Sequence, residues 1–243
     1  MSGAVRDTDD DWREIGAKEP YWGVLSDDRF AQRNIDAAAI DEFYASGRSD
    51  IDTLVERASA LLGPWRKPAH ALDFGCGAGR LSLAMTQWAS LVTGFDISPG
   101  MLEVARRRAG DRSDLRFTHQ WPDGPFDWIN SYIVFQHIPP VRGLEILDGL
   151  LERLAEDGVV TLHFTFYRDA ALRRPRTRTG LVRALRRVLG RTAEPRVGSI
   201  SMFDYDLDAV AERLNRHGIE RVLLIHTDHG GHHGAHVIGR REA

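Results

Sequence analysis

The stretch Asp73-Phe-Gly-Cys-Gly-Ala-Gly79 continues a short apolar segment that begins at Ala71, and it leads into an amphipathic segment over residues 81–88. Three glycines in five residues let a ligand approach the backbone closely, because no side chain stands in the way. The first N–H groups of a following helix offer hydrogen bonds to an anionic group. The stretch therefore predicts a strand, a glycine turn and a helix that together bind a small, partly negative ligand.

The spacing of the glycines separates this turn from a dinucleotide site. A fingerprint of the form Gly-x-Gly-x-x-Gly that starts at Gly75 requires glycine at position 80, where the chain has Arg80. The next apolar segment, Leu91–Phe95, predicts a second strand and ends at Asp96. A carboxylate at that place can accept two hydrogen bonds from a ribose diol. The pattern favours a single nucleoside and points away from a pyrophosphate.

Strand and helix patterns alternate along the rest of the chain, which predicts a mostly parallel, doubly wound α/β sheet. A helix over residues 51–62 is expected behind Ser49 or Asp50 as its N-cap, and Asp206 is expected to cap another helix that ends near Arg216. The remaining predicted elements are strands over residues 127–132 and 158–166, a helix over 141–154, and two closing strands over 219–226 and 232–240. The closing strands predict a terminal antiparallel hairpin.

Three ordered motifs resemble those of the class I S-adenosylmethionine-dependent methyltransferases, particularly the group that acts on small molecules. They are Asp73-Phe-Gly-Cys-Gly-Ala-Gly-Arg80, Gly94-Phe-Asp-Ile-Ser-Pro-Gly-Met101 and Phe126-Asp-Trp-Ile-Asn-Ser-Tyr-Ile-Val-Phe-Gln-His-Ile138. The resemblance covers about residues 54–166, together with the closing helix and hairpin. It implies a Rossmann-like sheet of seven strands and S-adenosyl-L-methionine as methyl donor.

The resemblance places the methionine part of the cofactor over the glycine turn, with Asp73 near its ammonium group. The turn residues implied to contact the cofactor are Gly75, Cys76, Gly77, Gly79 and Arg80. Asp96 is implied to hold the ribose hydroxyls. Cys76 itself is expected to be a small buried residue and not a nucleophile.

The adenine and the reacting methyl group need further contacts. Ile97 and Met101 are implied to flank the adenine. The segment His119-Gln-Trp121 departs from the family's usual small residue plus aspartate, and it makes Gln120 and Trp121 candidate adenine neighbours. The other candidate cofactor contacts are Ser131, Tyr132, Tyr21 and Gly47. Tyr21 and Gly47 precede the sheet, where aromatic side chains either stack on the ligand or simply dock a helix on the core.

His137 is the candidate general base for methyl transfer to a hydroxyl group. It follows the fourth strand at the carboxyl edge of the sheet, where doubly wound folds bind their ligands. A histidine suits the removal of a hydroxyl proton because its pKa lies near neutral pH. The alternative is a histidine that only supports the loop.

The closing hairpin carries an unusual number of histidines, namely His226, His229, His232, His233 and His236, beside Asp228. Imidazole and carboxylate groups suit several divalent metals, and a metal can acidify a hydroxyl. The spacing matches no known metal signature. Histidines that face solvent or substrate are therefore favoured over metal ligands, and a metal-assisted O-methyltransferase that uses these histidines stays open as an alternative.

Composition sets limits on the class of protein. The chain has 243 residues with 42% hydrophobic and 28% charged residues and a net charge of −3, as expected of a globular domain. A single cysteine excludes an intramolecular disulfide framework and multi-cysteine zinc sites. The polar, acidic start resembles neither a signal peptide nor a transit peptide, so a cytoplasmic location is expected.

An arginine-rich insertion interrupts the pattern between Arg168 and Arg196, where ten arginines stand against Asp169 and Glu194, a local charge of 10 − 2 = +8. Residues 181–189 predict a basic amphipathic helix that suits peripheral membrane contact or an acidic, phosphorylated or lipid-linked acceptor. The predicted organisation is an N-terminal helical cap (1–48), a cofactor-binding core (49–167), the insertion as a lid (168–200), and the closing helix and hairpin of the core (201–243).

Three classes of function stay open. The favoured class is an O-methyltransferase that acts on a small molecule or a carbohydrate. An N-methyltransferase or nucleic-acid methyltransferase is the second, prompted by the basic insertion, although Asn130-Ser-Tyr-Ile133 lacks the Asn-Pro-Pro-Tyr type of motif. The third is a cofactor-binding protein without catalytic activity, which tight binding without turnover would reveal. The acceptor and the oligomeric state are not predicted.

Overall fold

The computed structural model describes residues 8–173 and 200–242. Within these residues a single sheet contains seven strands in the order β3-β2-β1-β4-β5-β7-β6. The strands are β1 His70–Phe74, β2 Leu91–Phe95, β3 Leu115–Thr118, β4 Phe126–Ser131, β5 Leu154–Arg168, β6 Val222–Asp228 and β7 His232–Arg240. The first five are parallel, and β7 runs antiparallel to both β5 and β6. The predicted Rossmann-like sheet with a terminal antiparallel hairpin is confirmed.

Helices cover both faces of this sheet. They are α1 Asp9–Lys18, α2 Pro20–Val24, α3 Ala37–Leu62, α4 Arg80–Met85, α5 Pro99–Ala109, α6 Pro140–Glu152, α7 Ala170–Arg173 and α8 Leu207–Arg216. One core joins α3 and α4 to the sheet through residues such as Ile51 and Met85, and a second joins α6 and α8 through Leu147 and Val210. None of the helices in the described part of the chain combines the length and apolar character needed to cross a membrane.

The start of α3 differs from the sequence prediction. The helix begins at Ala37, with the Asp36 side chain accepting a hydrogen bond from the Ala39 N–H, and it continues without a break through positions 49 and 50. The prediction of an N-cap at Ser49 or Asp50 is therefore wrong. Position 47 inside this helix requires glycine, because a β-carbon there would lie only 2.4 Å from the Arg80 carbonyl oxygen. Close packing against α4 decides this position.

Other predicted boundaries shift by a few residues. Helix α6 begins and ends one to two residues before its predicted bounds, β5 is longer at both ends, and β6 begins at Val222 instead of Ile219. Helix α8 has the predicted Asp206 cap, whose carboxylate accepts from the Asp208 N–H. The division of the chain into four parts stays a prediction, and its first boundary falls within α3. Residues 174–199, which hold most of the arginine-rich insertion and its predicted helix over 181–189, lie outside the described residues.

The N-terminal helices lie at the carboxyl edge of the sheet. Helix α1 packs on the start of α5 so closely that a β-carbon on Gly100 would lie 2.5 Å from the Gly16 carbonyl oxygen. Arg142 at the start of α6 donates two hydrogen bonds to Asp9, at 2.7 and 2.8 Å. Helix α1 is thereby fixed to both sides of the sheet, next to the glycine turn.

Candidate functional site

The glycine turn between β1 and α4 has the backbone conformation that its sequence predicts. Gly75, Gly77 and Gly79 have positive φ angles of 75°, 52° and 78°, a region that disfavours other residues. A β-carbon on Gly75 would lie 2.4 Å from the Val134 side chain, and one on Gly77 would lie 2.7 Å from Val24. The turn is therefore packed so closely between Val134, in the loop after β4, and Val24 at the end of α2 that only glycine fits at these two positions.

Asp96 follows β2 directly and faces this turn. Its Oδ2 accepts a hydrogen bond from the Gly77 N–H at 2.9 Å, and its Oδ1 accepts from the Ser98 N–H at 2.8 Å. Burial raises the pKa of Asp96 to about 6, with the two backbone hydrogen bonds acting in the opposite direction. Each carboxylate oxygen keeps a second lone pair, so this side chain can still accept hydrogen bonds from two vicinal hydroxyls.

Asp73 is buried, with 2% of its surface exposed, and has two hydrogen-bond donors. The Ser82 hydroxyl donates to its Oδ2 at 2.6 Å, and the Asn130 amide donates to its Oδ1 at 2.9 Å. Burial raises the pKa of Asp73 and outweighs these hydrogen bonds, which act to lower it. The carboxyl group thus joins α4 and β4 below the turn. Its predicted contact with an ammonium group stays a prediction.

Of the candidate adenine neighbours, Met101 and Ile97 are buried or partly buried, whereas Gln120 and Trp121 are exposed. Met101 is 2% exposed and lies under α1 and α2, while Ile97 is partly buried against the core. Gln120 is exposed. Trp121 is 37% exposed and packs edge-on against Phe74 and Phe95, with ring centroids 5.7 and 5.5 Å apart. Trp121 therefore covers the ends of β1 and β2, beside Asp96.

Two candidates from the segment before the sheet serve as packing contacts in this structure. Tyr21 lies edge-on to Phe43 at 5.1 Å, and Gly47 lies against Arg80. Arg80 is buried and donates hydrogen bonds to Ser46 at 3.1 Å and to Asp50 at 2.6 Å. These contacts fix α3 to the end of the glycine turn.

Cys76 is buried in the turn, as expected of a small packing residue. Burial raises the pKa of its thiol well above the ordinary value, with Asp96 and Asp73 adding to the effect. A thiol in this state is not a nucleophile at neutral pH.

The structure gives both ring nitrogens of His137 a partner. Its Nδ1–H donates to the Ser201 carbonyl oxygen, and its Nε2 accepts from the Gln136 amide, both at 3.1 Å. This direction follows because the Gln136 Oε1 accepts from the Thr165 hydroxyl at 2.7 Å. The ring also lies 4.7 Å from Trp12. A base role for His137 stays a prediction, and it requires Gln136 to release the Nε2 lone pair.

Three buried histidines predict acid sensitivity. Burial lowers the pKa of His137 and of His236 to about 4 and that of His163 to about 2, against the ordinary 6.5. Above pH 6.5 these groups are neutral in both the folded and the unfolded protein, so they do not make the free energy of unfolding depend on pH. As pH falls from 6.5 towards 4, the unfolded chain takes up protons that the folded chain does not, so the free energy of unfolding decreases by up to roughly 3 kcal/mol per histidine.

The measurement is thermal unfolding at pH 7.5 and pH 5.0. We expect the Tm of the unaltered protein to fall between these values, and we expect a smaller fall in His163→Gln. Asp96 and Asp73, with raised pKa values, act in the opposite sense in both proteins. Equal falls in the two proteins would contradict the assignment of His163 as a buried neutral group.

The hairpin histidines lie on two faces of the sheet instead of forming one cluster. His226 stacks on His233 at 5.3 Å, and His233 contacts Asp169 at 3.1 Å, on one face. His236 stacks on Tyr132 at 4.8 Å, with His229 nearby, on the other. Across residues 8–173 and 200–242, no group of three or more His, Cys, Asp or Glu side chains is arranged to hold a metal ion.

Several contacts of the site were not predicted from the sequence. Ser82, Asn130 and Asp50 each hold one of the predicted residues, and His163 lies behind Tyr132. Asn130 and His163 occupy strand positions within the predicted β4 and β5. Their polarity inside apolar strands was the available signal.

Residues 71–158 match the family model described as a methyltransferase domain. The chain is 34% identical over 105 residues to the trans-aconitate 2-methyltransferase of Streptomyces coelicolor, an alignment that covers 39% of this chain and 34% of that protein. It is 33% identical over 95 residues to the ubiquinone biosynthesis O-methyltransferase of Coxiella burnetii, covering 35% and 40%. The chain therefore spans well under half the length of these curated relatives.

The fold is similar to that of solved methyltransferases. The magnesium protoporphyrin IX methyltransferase of Synechocystis PCC 6803, with bound S-adenosylmethionine, superposes with a TM-score of 0.63 at 17% identity, covering 99% of this chain and all of that one. The domain match and this fold confirm the predicted resemblance to class I S-adenosylmethionine-dependent methyltransferases.

Proposed function

We propose that this protein transfers a methyl group from S-adenosylmethionine to a hydroxyl group of a small molecule or a carbohydrate. The observation that carries the proposal is the pairing of Asp96 with the Gly77 N–H across a turn of three positive-φ glycines. This arrangement sets a carboxylate with free lone pairs beside the backbone of three glycines, which carry no side chains of their own. It suits a ribose diol next to a close-fitting amino-acid tail.

The residues present fit this cofactor. Gly75 and Gly77 leave the backbone of the turn bare of side chains, and Asp96 offers two acceptor oxygens. The Ser98 hydroxyl is buried without a hydrogen-bond partner among the described residues, at the start of α5. Ile97 and Trp121 supply apolar surface beside it. When bound, the cofactor supplies an electrophilic methyl group on a sulfonium.

The residues of this chain contribute to catalysis by positioning the two reactants and by excluding water. Methyl transfer requires the acceptor oxygen, the methyl carbon and the sulfur to lie in line, and correct orientation supplies much of the acceleration, up to ~7–11 kcal/mol in favourable cases. Val24 of α2 packs on the turn at Gly77, and Gly16 and Gly23 pack on Ser98 and Met101 beside it, so these helices limit the access of water from this side of the site. Ser131 is the last residue of β4 and Tyr132 follows it, and both are proposed to line the cofactor near its reacting end.

Hydroxyl acceptors are favoured over other acceptors for two reasons. One of the curated relatives carries O-methyltransferase in its name. The described residues at the carboxyl edge also include His236, whose imidazole is uncharged and has a lone pair that can accept a hydroxyl proton. The proposed acceptor class includes acidic and lipid-linked molecules because of the arginine-rich insertion. A cytoplasmic location and the absence of a nucleic-acid partner are part of the same proposal.

The test is incubation of the protein with S-adenosylmethionine labelled on its methyl group and with fractionated small-molecule extract, followed by mass analysis of labelled products. We expect a labelled ether that is stable to mild alkali. A labelled ester, amine or nucleic acid would contradict O-methylation of a hydroxyl. An Asp96→Ala variant serves as the control, because it lacks the proposed ribose acceptor.

A further inference from the structure

Four rings form a cluster, here called the imidazole cluster, at the carboxyl edge on the α3 face of the sheet. It consists of Tyr132, His163, His229 and His236. Tyr132 and His236 are stacked, with centroids 4.8 Å apart and planes at 22°, while His163 lies edge-on at 5.3 Å from Tyr132 and 5.1 Å from His236. His229 lies 5.5 Å from His163. The sheet register brings them together, because His163 pairs with His236 across β5 and β7.

Two buried ring nitrogens of this cluster lack a hydrogen-bond partner. His163 Nδ1 and His236 Nδ1 are sealed from solvent and have no partner within the described parts of the chain. His163 is fully buried, and its Nε2 contacts the Thr227 hydroxyl at 2.8 Å. Buried polar groups without partners each cost about 1–3 kcal/mol and are rare in folded proteins. Two such nitrogens in adjacent rings indicate a surface built for a polar ligand.

His236 combines a buried ring nitrogen that has no partner with a ring that is partly exposed. Its Nδ1 is sealed from solvent, and no hydrogen bond joins its Nε2 to another described residue. The charged and titratable groups around it are Arg57 and Asp50 of α3, Arg80 of α4, Tyr132, His163 and His229. Burial, Arg57 and His229 all favour its neutral form. A neutral imidazole with a free lone pair is a proton acceptor.

The surface is flat, aromatic and largely neutral. Burial raises the pKa of Tyr132 to about 12, so its hydroxyl stays protonated and can donate a hydrogen bond. Arg80 is paired with Asp50 at 2.6 Å. Stacked rings with neutral donors and acceptors match a planar ring that carries hydroxyl groups. An aliphatic carboxylate gains little from such a surface.

We propose that the imidazole cluster binds a phenolic acceptor, and that His236 takes the proton of its reacting hydroxyl. This inference rests on the methyl transfer proposed above. The phenol oxygen forms a bond to the methyl carbon as the carbon–sulfur bond breaks, and sulfur leaves as a neutral thioether. The hydroxyl proton passes to the His236 imidazole and then to water. Tyr132 supports the His236 ring by stacking, and His163 packs behind both rings.

The test uses the full chain, the variant His236→Gln, and His226→Gln as a matched control on the opposite face of the hairpin. The probes are catechol, 4-nitrophenol and trans-aconitate at pH 8. Catechol needs a base to lose its proton, whereas 4-nitrophenol is ionised in water at this pH. Calorimetry measures binding of S-adenosylhomocysteine and then binding of each probe to that complex. Mass analysis measures methyl transfer.

We expect all three proteins to bind S-adenosylhomocysteine equally and the unaltered chain to bind and methylate catechol. His236→Gln should methylate catechol about 10²–10³-fold more slowly, the range for loss of a general base. The same variant should methylate 4-nitrophenol within about threefold of the unaltered chain, and His226→Gln should match the unaltered chain throughout. This difference between two phenols is not expected from a merely structural role.

Other results overturn the inference. Equal losses with both phenols would mean that His236 supports the site without taking a proton. Binding of the cofactor without binding of either phenol, or methylation of trans-aconitate alone, would remove the phenolic acceptor while leaving the proposed function intact. Failure of the unaltered chain to bind S-adenosylhomocysteine would instead overturn the proposed function.

Discussion

Replacement of Asp96 by alanine is expected to weaken the binding of S-adenosylhomocysteine by about 10²–10⁴-fold. The proposed site uses this carboxylate to accept two ribose hydroxyl groups, and hydrogen bonds to a charged group contribute about 1.5–3 kcal/mol each. The Gly77 and Ser98 N–H groups that Asp96 now holds would also lose their acceptor. Isothermal titration calorimetry at pH 8 measures the effect.

Controls separate loss of the site from loss of the fold. Asp96→Asn keeps one acceptor oxygen and is expected to bind more tightly than Asp96→Ala. Asp114→Asn removes only a surface partner of Arg112 and should bind as the unaltered chain does. Unchanged affinity in Asp96→Ala would exclude this residue from the cofactor site.

The same carboxyl group predicts a pH dependence of binding. Burial raises the pKa of Asp96 to about 6 in the free protein. The ionised form is the better acceptor, so affinity is full above pH 6 and decreases as pH falls through this value, by at most about tenfold per pH unit. Asp96→Asn has no such group and should bind with nearly constant affinity between pH 5 and pH 7.

Replacement of Asp73 by alanine is expected to lower the free energy of unfolding by roughly 3–5 kcal/mol and the Tm by roughly 10 °C. The change leaves the buried Ser82 hydroxyl and the Asn130 amide without their acceptor and opens a small cavity. Thermal unfolding measures the loss. We expect a smaller loss for Asp73→Asn, which keeps the shape and one acceptor oxygen.

A surface residue provides the comparison for this stability experiment. Asp52 accepts a hydrogen bond from the Trp88 indole at 2.8 Å in an exposed position. Its replacement by alanine should change the free energy of unfolding by less than about 1 kcal/mol. If Asp73→Ala and Asp52→Ala unfold at the same temperature, then Asp73 is not the buried junction that the structure describes.

Local sequence signals were sufficient for the elements around the glycine turn. Strand β2 has its predicted bounds, and the predicted glycine turn lies between β1 and α4, because apolar runs that end at glycine or aspartate mark these places. The start of α3 was not predictable in this way. Ser49 and Asp50 resemble an N-cap, but the packing of Gly47 on Arg80 lets the helix continue through them.

Contacts across the sheet limited prediction of the site. The link from Asn130 to Asp73 depends on the register of β1 and β4, and the contact of His163 with His236 depends on the antiparallel pairing of β5 and β7. Neither register can be read from spacing along the chain. One ring partner of His137 is its neighbour Gln136, but the other is the Ser201 carbonyl, which lies 64 residues away in sequence.

Binding and release of a ligand at the proposed site require contacts of the N-terminal helices to open. Helix α1 contacts Ser98 and Met101 of the proposed site, and its Asp9 is paired with Arg142 at 2.7 Å. A ligand under α1 and α2 exchanges only when these contacts open. Replacement of Arg142 by alanine is therefore expected to increase the dissociation rate of the cofactor, which stopped-flow measurement of tryptophan fluorescence can follow through Trp12.

Titration of the unaltered protein with S-adenosylhomocysteine is the most direct measurement of the proposed cofactor site. The account predicts saturable binding with one molecule per chain, accompanied by a rise in Tm that grows with ligand concentration. A cooperatively folded sample that shows neither heat of binding nor any rise in Tm would contradict it.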